Sequence, residues 1–450
     1  MKQLEPLLCR LLVLVLCATC ARKAPLHAEE VGEAIEVPTR IIESPGFIPK
    51  APGLLQRWIM GGVACPGDLN GDGWQEFIVA SGTYPGQIAA YSGKDGSVLW
   101  QAKPMVGKTA EHAGEKSYTL ADFTLIADQN ADGILDVFAR NNGSDKEALI
   151  FSGKDGKRLA RGQTGFITTP IRVQDYNGDG IQDMLFLKGV HGLRALSVKD
   201  FAEVMDRPKL LEFDEKHASI LLPNLPDLNG DGVGEMLLAA GPQDKWQWLF
   251  LSGRDFSLIR QISVSRNWVL SPPKVVCAGD VNGDGTLDFI LTENRGAAQD
   301  QDLSYLAAVS GIDGTRLWET AGDTLPYPHK RFAVDAKTKQ KRDLPGDVGF
   351  GEPATIVTDL DGDGAPEIAC TVTTVVGGKG AFAVALFSGK NGRHLITLAL
   401  NRKHGALDGK QLLFVDVFGP DHKPLLAATG RKDDKTSIVA LLEIPRLTGH

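Results

Sequence analysis

The sequence predicts an all-β fold, a seven-bladed β-propeller made of four-stranded antiparallel blades. Two observations support this prediction. Short apolar runs such as EFIVA and DFILT are rich in β-branched and aromatic residues, as strands are. Two turn motifs alternate along the 450-residue chain at the spacing of one supersecondary unit per repeat. No long helical period competes with these signals.

The first motif is an acidic string of the form D-x-[ND]-x-D-G-x-x-[DE]. Its six copies are 47 to 79 residues apart and begin at Asp68, Asp128, Asp175, Asp227, Asp280 and Asp359. An apolar strand precedes and follows each copy. A seventh unit, FVDVFGPDHKPLLAATG at 414–430, keeps both strands but lacks the acidic positions after Asp416. The chain therefore contains seven repeats, six of which carry the acidic loop.

The second motif is the tight turn SGKDG or a close variant, typical of a β-hairpin. Copies begin at Ser92, Ser152, Ser252, Ser310 and Ser388, with a blurred copy at Ser197. Each repeat thus has four strands, with the acidic loop between the first and second and the SGKDG turn between the third and fourth. This strand order places both motifs on one face of the propeller and the long variable loops on the other.

The last repeat contains only three recognisable strands. The segment EAIEVPTRII (33–42) alternates like a strand and has no repeat of its own. We expect it to complete the last blade and close the ring, which would remove an exposed sheet edge.

The acidic loops are candidate calcium sites. Calcium takes six to eight oxygen ligands, and a loop with side-chain oxygens at positions 1, 3 and 5 and a carbonyl at position 7 surrounds one cation. Position 6 is glycine in all six copies and position 9 is Asp or Glu. Position 12, the closing ligand of an EF-hand, is apolar and falls inside a strand, so these loops close early. Asp, Asn and Gly also make metal-free turns, but such turns do not require five oxygens in register.

The sequence therefore predicts up to six Ca²⁺ ions. Ala131 replaces a glycine in the second loop, which predicts a weaker site, and Asp361 replaces an asparagine in the sixth, which predicts a tighter one. The predicted ligands, with position 7 acting through its carbonyl, are Asp68, Asn70, Asp72, Trp74 and Glu76; Asp128, Asn130, Asp132, Ile134 and Asp136; Asp175, Asn177, Asp179, Ile181 and Asp183; Asp227, Asn229, Asp231, Val233 and Glu235; Asp280, Asn282, Asp284, Thr286 and Asp288; and Asp359, Asp361, Asp363, Ala365 and Glu367.

These loops and the strands that follow them resemble the FG-GAP (VCBS-type) repeats of integrin α-subunit propellers and their bacterial relatives. The stretch GFGEPATIVTDLDGDGAPEIA comes nearest, because it keeps Phe350 and Gly351 upstream of the acidic loop. The resemblance implies a calcium-stabilised, seven-bladed propeller that is exported and acts as a binding or scaffold module. It does not carry over the identity of a partner.

The N-terminus reads as a targeting segment. Lys2 and Arg10 precede an apolar stretch too short to span a bilayer, which suits a secretory signal over residues 1–28. Cleavage after Ala21 or Ala28 and lipidation at Cys20 both stay open, and a lipid anchor is the one membrane link that we expect. Residues 29–57 form a lead-in with the closing strand, and 58–450 form the propeller. We expect an extracytoplasmic location: secreted, periplasmic or at the cell surface.

The binding surface is expected on the face with the long loops. The insertion 319–349 is rich in Lys and Arg, and the candidate ligand-face residues are Trp246, Tyr327, His329, Lys330 and Arg331. The predicted partner is a protein or a polysaccharide; a solvated surface hairpin is the alternative. The net charge of −8 and the lack of a like-charge block disfavour nucleic acid. No catalytic constellation stands out, so a binding module is favoured over the enzyme alternative, a calcium-dependent polysaccharide lyase.

Overall fold

The computed structural model describes residues 34–37, 39–45, 62–81, 87–102, 120–141, 147–163, 172–188, 192–207, 218–222, 224–240, 247–263, 274–293, 304–325, 329–334, 341–347, 349–350, 354–376, 379–433 and 436–445. The predicted signal segment 1–28 lies outside the described residues. Within them, no helix is long and apolar enough to cross a membrane.

The described chain is almost entirely β-strand. The N-terminal segment forms β1 (Ile35–Glu36) and β2 (Thr39–Pro45). Blade 1 consists of β3 (Gly62–Gly67), β4 (Glu76–Ser81), β5 (Gln87–Tyr91) and β6 (Val98–Ala102). Blade 2 consists of β7 (Leu120–Ile126), β8 (Asp136–Asn141), β9 (Glu147–Phe151) and β10 (Arg158–Gln163). Blade 3 consists of β11 (Arg172–Gln174), β12 (Asp183–Lys188), β13 (Gly192–Ser197) and β14 (Glu203–Arg207).

The second half repeats this plan. Blade 4 consists of β15 (Ala218–Leu222), β16 (Met236–Ala240), β17 (Gln247–Leu251) and β18 (Leu258–Ser263). Blade 5 consists of β19 (Lys274–Gly279), β20 (Asp288–Glu293), β21 (Tyr305–Val309) and β22 (Arg316–Ala321). A 3₁₀ turn (Gly322–Thr324) and a hairpin follow, formed by β23 (His329–Val334) and β24 (Lys341–Asp347). The predicted insertion 319–349 therefore begins inside a blade strand, because β22 continues to Ala321.

Blades 6 and 7 complete the ring. Blade 6 consists of β25 (Thr355–Val357), β26 (Glu367–Val376), β27 (Lys379–Ser388) and β28 (His394–Ala399). After a 3₁₀ turn (Arg402–His404), blade 7 consists of β29 (Ala406–Phe418), β30 (Lys423–Arg431), β31 (Thr436–Glu443) and β2. The described residues thus form seven four-stranded antiparallel blades, which confirms the predicted fold class.

The N-terminal segment joins the last two blades. Strand β2 pairs antiparallel with β31, from Thr39 opposite Leu442 to Pro45 opposite Thr436. Strand β1 pairs parallel with β28 and adds a fifth strand to blade 6. The sequence predicts one strand over 33–42; the structure divides the segment into two strands on two blades, and the second continues to Pro45.

The core lies between the blades rather than along one central axis. Within the described residues, seven apolar clusters are present, and each combines side chains from two adjacent blades, including blades 7 and 1. Strand alternation supplies both neighbours from one strand. Ile78 packs toward blade 2, whereas Phe77 and Val79 pack toward blade 7. Every blade is therefore buried on two sides.

The acidic loops and the SGKDG turns lie against each other on one face, as the strand order predicts. A Cβ atom on Gly153 would lie 1.9 Å from the carbonyl oxygen of Leu135, in the acidic loop of the same blade. The equivalent distance for Gly389 is 2.0 Å, to the oxygen of Pro366. The first glycine of the turn is required because the loop backbone approaches so closely.

Candidate metal loops

Each acidic loop winds its backbone around the aspartate at position 1. In the first loop, the N–H groups of Gly71 and Gly73 donate to the two carboxylate oxygens of Asp68, at 2.7 and 2.9 Å. Both glycines have left-handed backbone, with φ of +76° and +84°. The N–H of the position-6 glycine bonds the position-1 aspartate in the other five loops as well. The six loops therefore share one local conformation.

The second loop keeps this conformation with alanine at position 4. Ala131 has φ of +59°, in the left-handed region that disfavours a residue with a Cβ atom. The Gly133 N–H still donates to Asp128 at 2.7 Å. The substitution therefore strains the loop backbone while the hydrogen bond from Gly133 to Asp128 is kept.

The carboxylate at position 9 is buried and closes the loop. One oxygen of Glu76 accepts a hydrogen bond from the N–H of Leu69, at position 2, with a length of 2.6 Å. The same bond forms in the other five loops, whether position 9 is Glu or Asp. This bond ties the start of the second strand back to the start of the loop.

The other oxygen of the position-9 carboxylate differs among the loops. In Glu76, Asp183 and Glu367 it is buried and has no hydrogen-bond partner within the described residues. In Asp136 and Asp288 it accepts the N–H of the first turn glycine, Gly153 or Gly311, at 3.2 and 3.3 Å. An unpartnered carboxylate oxygen out of water is costly unless a cation or donor meets it.

In three loops the acidic side chains converge. Within the described residues, groups of carboxylates with one oxygen each lying within 4.8 Å of one another are found in loops 1, 4 and 6. Their members are Asp68, Asp72 and Glu76; Asp227, Asp231 and Glu235; and Asp359, Asp361, Asp363 and Glu367. All three groups end in glutamate. Clustered carboxylates fit a hard divalent cation that prefers oxygen ligands, and in loops 1 and 6 the cluster includes a buried glutamate oxygen without a partner among the described residues, so the donor set suits Ca²⁺.

The two ends of the first acidic loop shift carboxyl pKa values in opposite directions, with Asp68 lowered and Glu76 raised. Burial raises the pKa of Glu76 to about 7, and the charges of Asp68 and Asp72 raise it further. Burial also raises the pKa of Glu367 to about 7. At position 1, the N–H of Gly180 lowers the pKa of Asp175 below its ordinary value. Without a cation, loops 1 and 6 therefore each hold a buried glutamate whose pKa is raised.

The SGKDG turn contacts the aspartate at position 5. The Ser388 hydroxyl donates to a carboxylate oxygen of Asp363 at 3.2 Å, and the Lys390 ammonium donates to the Asp363 carbonyl at 3.0 Å. In blade 2, Ser152 donates to Asp132 at 3.0 Å. These contacts were not foreseen from the sequence, although the serine that begins the turn in all six blades with an acidic loop is a signal for them. Hydrogen bonds from the turn therefore stabilise the acidic loop of the same blade at its position-5 aspartate.

The first loop also contributes to ring closure. A Cβ on Gly419 of blade 7 would lie 2.5 Å from the Trp74 ring, and the Gly419 N–H donates to the Gln75 side chain at 3.0 Å. The Arg40 guanidinium of β2 lies 4.1 Å from the Trp74 ring centroid, and Phe418 packs edge-on against it. Blade 7 has no acidic loop of its own, and Trp74 of loop 1 packs in the apolar cluster between blades 7 and 1. Nothing local in the sequence indicates this contact.

The predicted ligand-face residues are only partly described. Trp246 and Tyr327 lie outside the described residues. His329, Lys330 and Arg331 lie on β23 of the insertion hairpin, which is not part of any acidic loop. The structure does not bring these five residues into one described site.

The fold and the loops define a seven-bladed repeat propeller with acidic loops between the first and second strands of six blades. Residues 227–291, from the acidic loop of blade 4 to β20 of blade 5, match the family model for the FG-GAP-like repeat. This part of the chain is therefore similar to an FG-GAP-like repeat, in agreement with the resemblance of the motifs.

Relatives and solved structures are distant. The chain is 24% identical to mouse (Mus musculus) Protein FAM234B over 259 residues, which cover 51% of this chain and 38% of that protein. This chain thus spans well under two thirds of that relative. Similar structures include BamB from Moraxella catarrhalis (TM-score 0.36, 13% identity, 81% of this chain and 82% of that one). A chain of the Mitotic Checkpoint Complex gives a TM-score of 0.45, 11% identity and coverage of 94% and 97%.

Proposed function

We propose that this chain is an exported β-propeller whose acidic loops bind up to six calcium ions, and that it serves as a binding or scaffold module for a protein or polysaccharide ligand. The observation that carries the calcium proposal is the buried, unpartnered carboxylate oxygen of Glu76 and of Glu367, each within a cluster of carboxylates. The FG-GAP-type propeller fold supports a binding or scaffold role in general terms.

The clustered carboxylates of the loops suit a bound cation that neutralises their charge, and we assign them no catalytic role. Bound calcium would supply positive charge to the carboxylates and connect the two strands that flank each loop. The residues themselves organise the site: the position-1 aspartate shapes the backbone, and the position-9 carboxylate anchors the second strand. The proposed role of the metal is therefore structural.

A ligand would then be bound away from the metal. The acidic loops and SGKDG turns occupy one face, and the insertion hairpin leaves from the connection between blades 5 and 6 on the other. Loops on a rigid scaffold are a common place for binding residues. A structural metal face and a separate binding face together form the proposed module.

The export proposal rests on residues 1–28, which combine basic residues with a short apolar stretch. Mass spectrometry of the protein made in a secreting host tests it. A product that starts after Ala21 or Ala28, or a lipidated one that starts at Cys20, supports export. A full-length product in the cytosolic fraction contradicts it.

Native mass spectrometry tests the calcium proposal directly. Chelator-treated mature protein is titrated with Ca²⁺ and, in parallel, with Mg²⁺. We expect up to six calcium ions to bind, with loops 1, 4 and 6 filled first, and we expect Mg²⁺ to compete poorly because it retains its waters. Absence of any bound calcium at millimolar concentration would overturn the proposal.

No contact among the described residues favours the lyase alternative, and the same preparation tests it. Incubation of the calcium-loaded protein with polygalacturonate or alginate would give unsaturated products that absorb in the near ultraviolet. We expect no such absorbance. Its appearance would replace the binding role by an enzymatic one.

A further inference from the structure

A basic side chain of the SGKDG turn reaches the acidic loop in four blades. The third residue of the turn is Lys or Arg in five of the six blades that have an acidic loop. The Lys94 ammonium lies 3.8 Å from a carboxylate oxygen of Asp72, and the Arg254 guanidinium lies 3.5 Å from one of Asp231. In blades 2 and 6 the lysine ammonium donates instead to the main-chain carbonyl of the position-5 aspartate, at 3.5 and 3.0 Å. Four loops therefore have a positive charge of the protein beside their position-5 residue.

Blades 3 and 5 do not have this contact. Blade 5 has the exposed Ile312 at the third position of the turn, and in blade 3 Lys199 makes no contact with the loop among the described residues. In loop 5 the Asn282 amide donates to a carboxylate oxygen of Asp284 at 2.8 Å, and the equivalent bond in loop 3 is 3.1 Å. Loop 4 has both contacts, and its asparagine bond is longer, at 3.3 Å. Where the turn supplies no cation, the loop therefore uses its own amide on this carboxylate.

The carboxylates converge in loops that have the basic contact. Loops 1, 4 and 6 bring their acidic oxygens within 4.8 Å of one another, and the turn of each of these blades contacts the position-5 aspartate. Loop 2 also has the contact, but both oxygens of Asp136 there accept backbone N–H groups. Like charges at such distances repel, and a nearby cation reduces the cost. The turn cation is therefore placed to balance the clustered carboxylates.

A bound calcium ion would compete with this balance. It would cancel two of the three carboxylate charges in loops 1 and 4, and two of the four in loop 6. The turn cation is thus attracted most strongly to the loop that holds no metal, and it repels the metal itself. The side chains of Lys94 and Arg254 are more than half exposed, so water and salt screen both interactions and keep them modest.

We infer that the basic residue of the SGKDG turn is an internal counter-ion, which stabilises the calcium-free loop and lowers the affinity of that loop for calcium. This inference rests on the proposed calcium role and names residues that regulate it. The closing carboxylate sets the order in which the loops fill, whereas the turn cation shifts the affinity of each loop relative to the same loop without it.

The melting temperature of a lysine double variant tests the counter-ion role. Lys94→Met with Lys390→Met removes two contacting ammonium groups; the matched control, Lys157→Met with Lys423→Met, removes two on the same face that contact no acidic loop among the described residues. In EGTA the test variant should melt about two degrees below the wild type. In excess calcium the difference should largely disappear, because tighter calcium binding offsets the loss. A purely structural hydrogen bond would cost the same in both media, and the control should stay within about one degree in both.

Calcium titration against an indicator dye locates the effect at one loop. Lys390→Met should tighten calcium binding at loop 6 about threefold to tenfold at low ionic strength. The gain should shrink as salt is added, because the Lys390 ammonium is exposed. In the Glu367→Gln background, which lacks one oxygen ligand of that loop, Lys390→Met should leave the calcium isotherm unchanged. The double-variant cycle therefore assigns the gain to loop 6.

Blade 5 allows the reverse change. The Ile312 N–H donates to the Ser310 hydroxyl at 3.1 Å, as the Lys94 N–H does to the Ser92 hydroxyl at 3.1 Å, so the two turns share a conformation. Ile312→Lys would add an ammonium group beside Asp284. It should raise the melting temperature in EGTA by about one degree and weaken calcium binding at loop 5 several-fold. Ile312→Met, which adds no charge, should do neither.

The outcomes separate this inference from the proposed function. Equal melting of the lysine test and control variants in EGTA would overturn the counter-ion, as would calcium binding by Lys390→Met that is unchanged or weaker. Both results leave the calcium proposal intact, provided that the wild type binds calcium. Failure of the wild type to bind calcium would overturn the proposed function and, with it, the lowered affinity.

Discussion

Blades 1, 4 and 6 close their acidic loops with glutamate, whereas blades 2, 3 and 5 close theirs with aspartate. The Glu-closed loops gather their carboxylates within 4.8 Å, and Glu76 and Glu367 each keep one oxygen without a described donor. In two Asp-closed loops, Asp136 and Asp288 use both oxygens on backbone N–H groups. In these four loops, both oxygens of the aspartate accept backbone N–H groups, whereas the glutamate, which is one methylene longer, keeps one oxygen without such a donor.

Blade 3 shows that the residue in the turn, as well as the length of the closing side chain, determines whether the second carboxylate oxygen has a backbone donor. Its loop closes with Asp183, yet one oxygen of this residue is buried and unpartnered. Its turn has Val198 where the other intact turns have glycine, and the Val198 N–H donates to the Gln182 carbonyl at 3.1 Å. The donor that satisfies Asp136 in blade 2 is therefore used elsewhere in blade 3.

Removal of calcium should have the largest effect. Each independent site adds about 2.7 kcal/mol at free calcium of about a hundred times Kd. Loss of several sites should lower the melting temperature by on the order of ten degrees or more. Differential scanning calorimetry in excess calcium and in excess EGTA measures this, with magnesium as the control ion. An identical melt in the two conditions would contradict a structural role for calcium.

The pH dependence of stability should have opposite signs with and without metal. The pKa of Glu76 and Glu367 is raised to about 7 from an ordinary value of 4.5, mainly by burial. Between these pH values the folded protein binds more protons than the unfolded chain, so the free energy of unfolding without metal should rise as the pH falls from about 8 to about 5.5. The gain should be at most about 3 kcal/mol for each carboxyl.

In calcium, protons compete with the metal, so stability should fall over the same pH range. The double variant Glu76→Gln with Glu367→Gln should show neither effect at these two sites. Urea unfolding at several pH values, with and without EGTA, measures both slopes. Parallel slopes in the two media would argue against metal at the glutamates.

Single amide substitutions should distinguish the two classes of loop. Glu76→Gln should cost about 2.7 kcal/mol in calcium, through loss of one site, and should be neutral or stabilising in EGTA because a buried charge is removed. Asp136→Asn should already cost about 1 to 3 kcal/mol in EGTA, because its amide group must oppose either the Gln129 or the Gly153 N–H. Urea denaturation of both variants gives the comparison. Identical behaviour of the two would show that the carboxylates have the same role.

The smallest effect should come from the backbone of the second loop. Ala131 has left-handed φ, and a glycine there would relieve a strain of about 1 kcal/mol. Ala131→Gly should therefore stabilise the protein with or without calcium and tighten calcium binding by several-fold at most. Gly71→Ala in loop 1 is the matched reverse change, since a Cβ there meets no atom within 4 Å. Destabilisation by Ala131→Gly would contradict the strain.

Much of the architecture was predictable because its signals are local. The repeat spacing, the alternation of strand residues and the glycine at position 6 act within one blade, so seven blades and their loop positions follow from the sequence. The pairing of β1 with blade 6 was not predictable, because it joins segments that are distant in the chain, such as Glu36 and Asn401, which are 365 positions apart. The packing of Trp74 on Gly419 belongs to the same category.

The sequence by itself determined the number of repeats, the four strands of each and the positions of six acidic loops, because hydrophobic period and turn chemistry are properties of neighbouring residues. The tertiary structure decided which position-9 carboxylates are satisfied by backbone and which are not, since that depends on a donor from another turn. It also decided that the last residue of the insertion, Gly349, is held on β26 by hydrogen bonds with Thr373, which is distant from the acidic loop of the same blade.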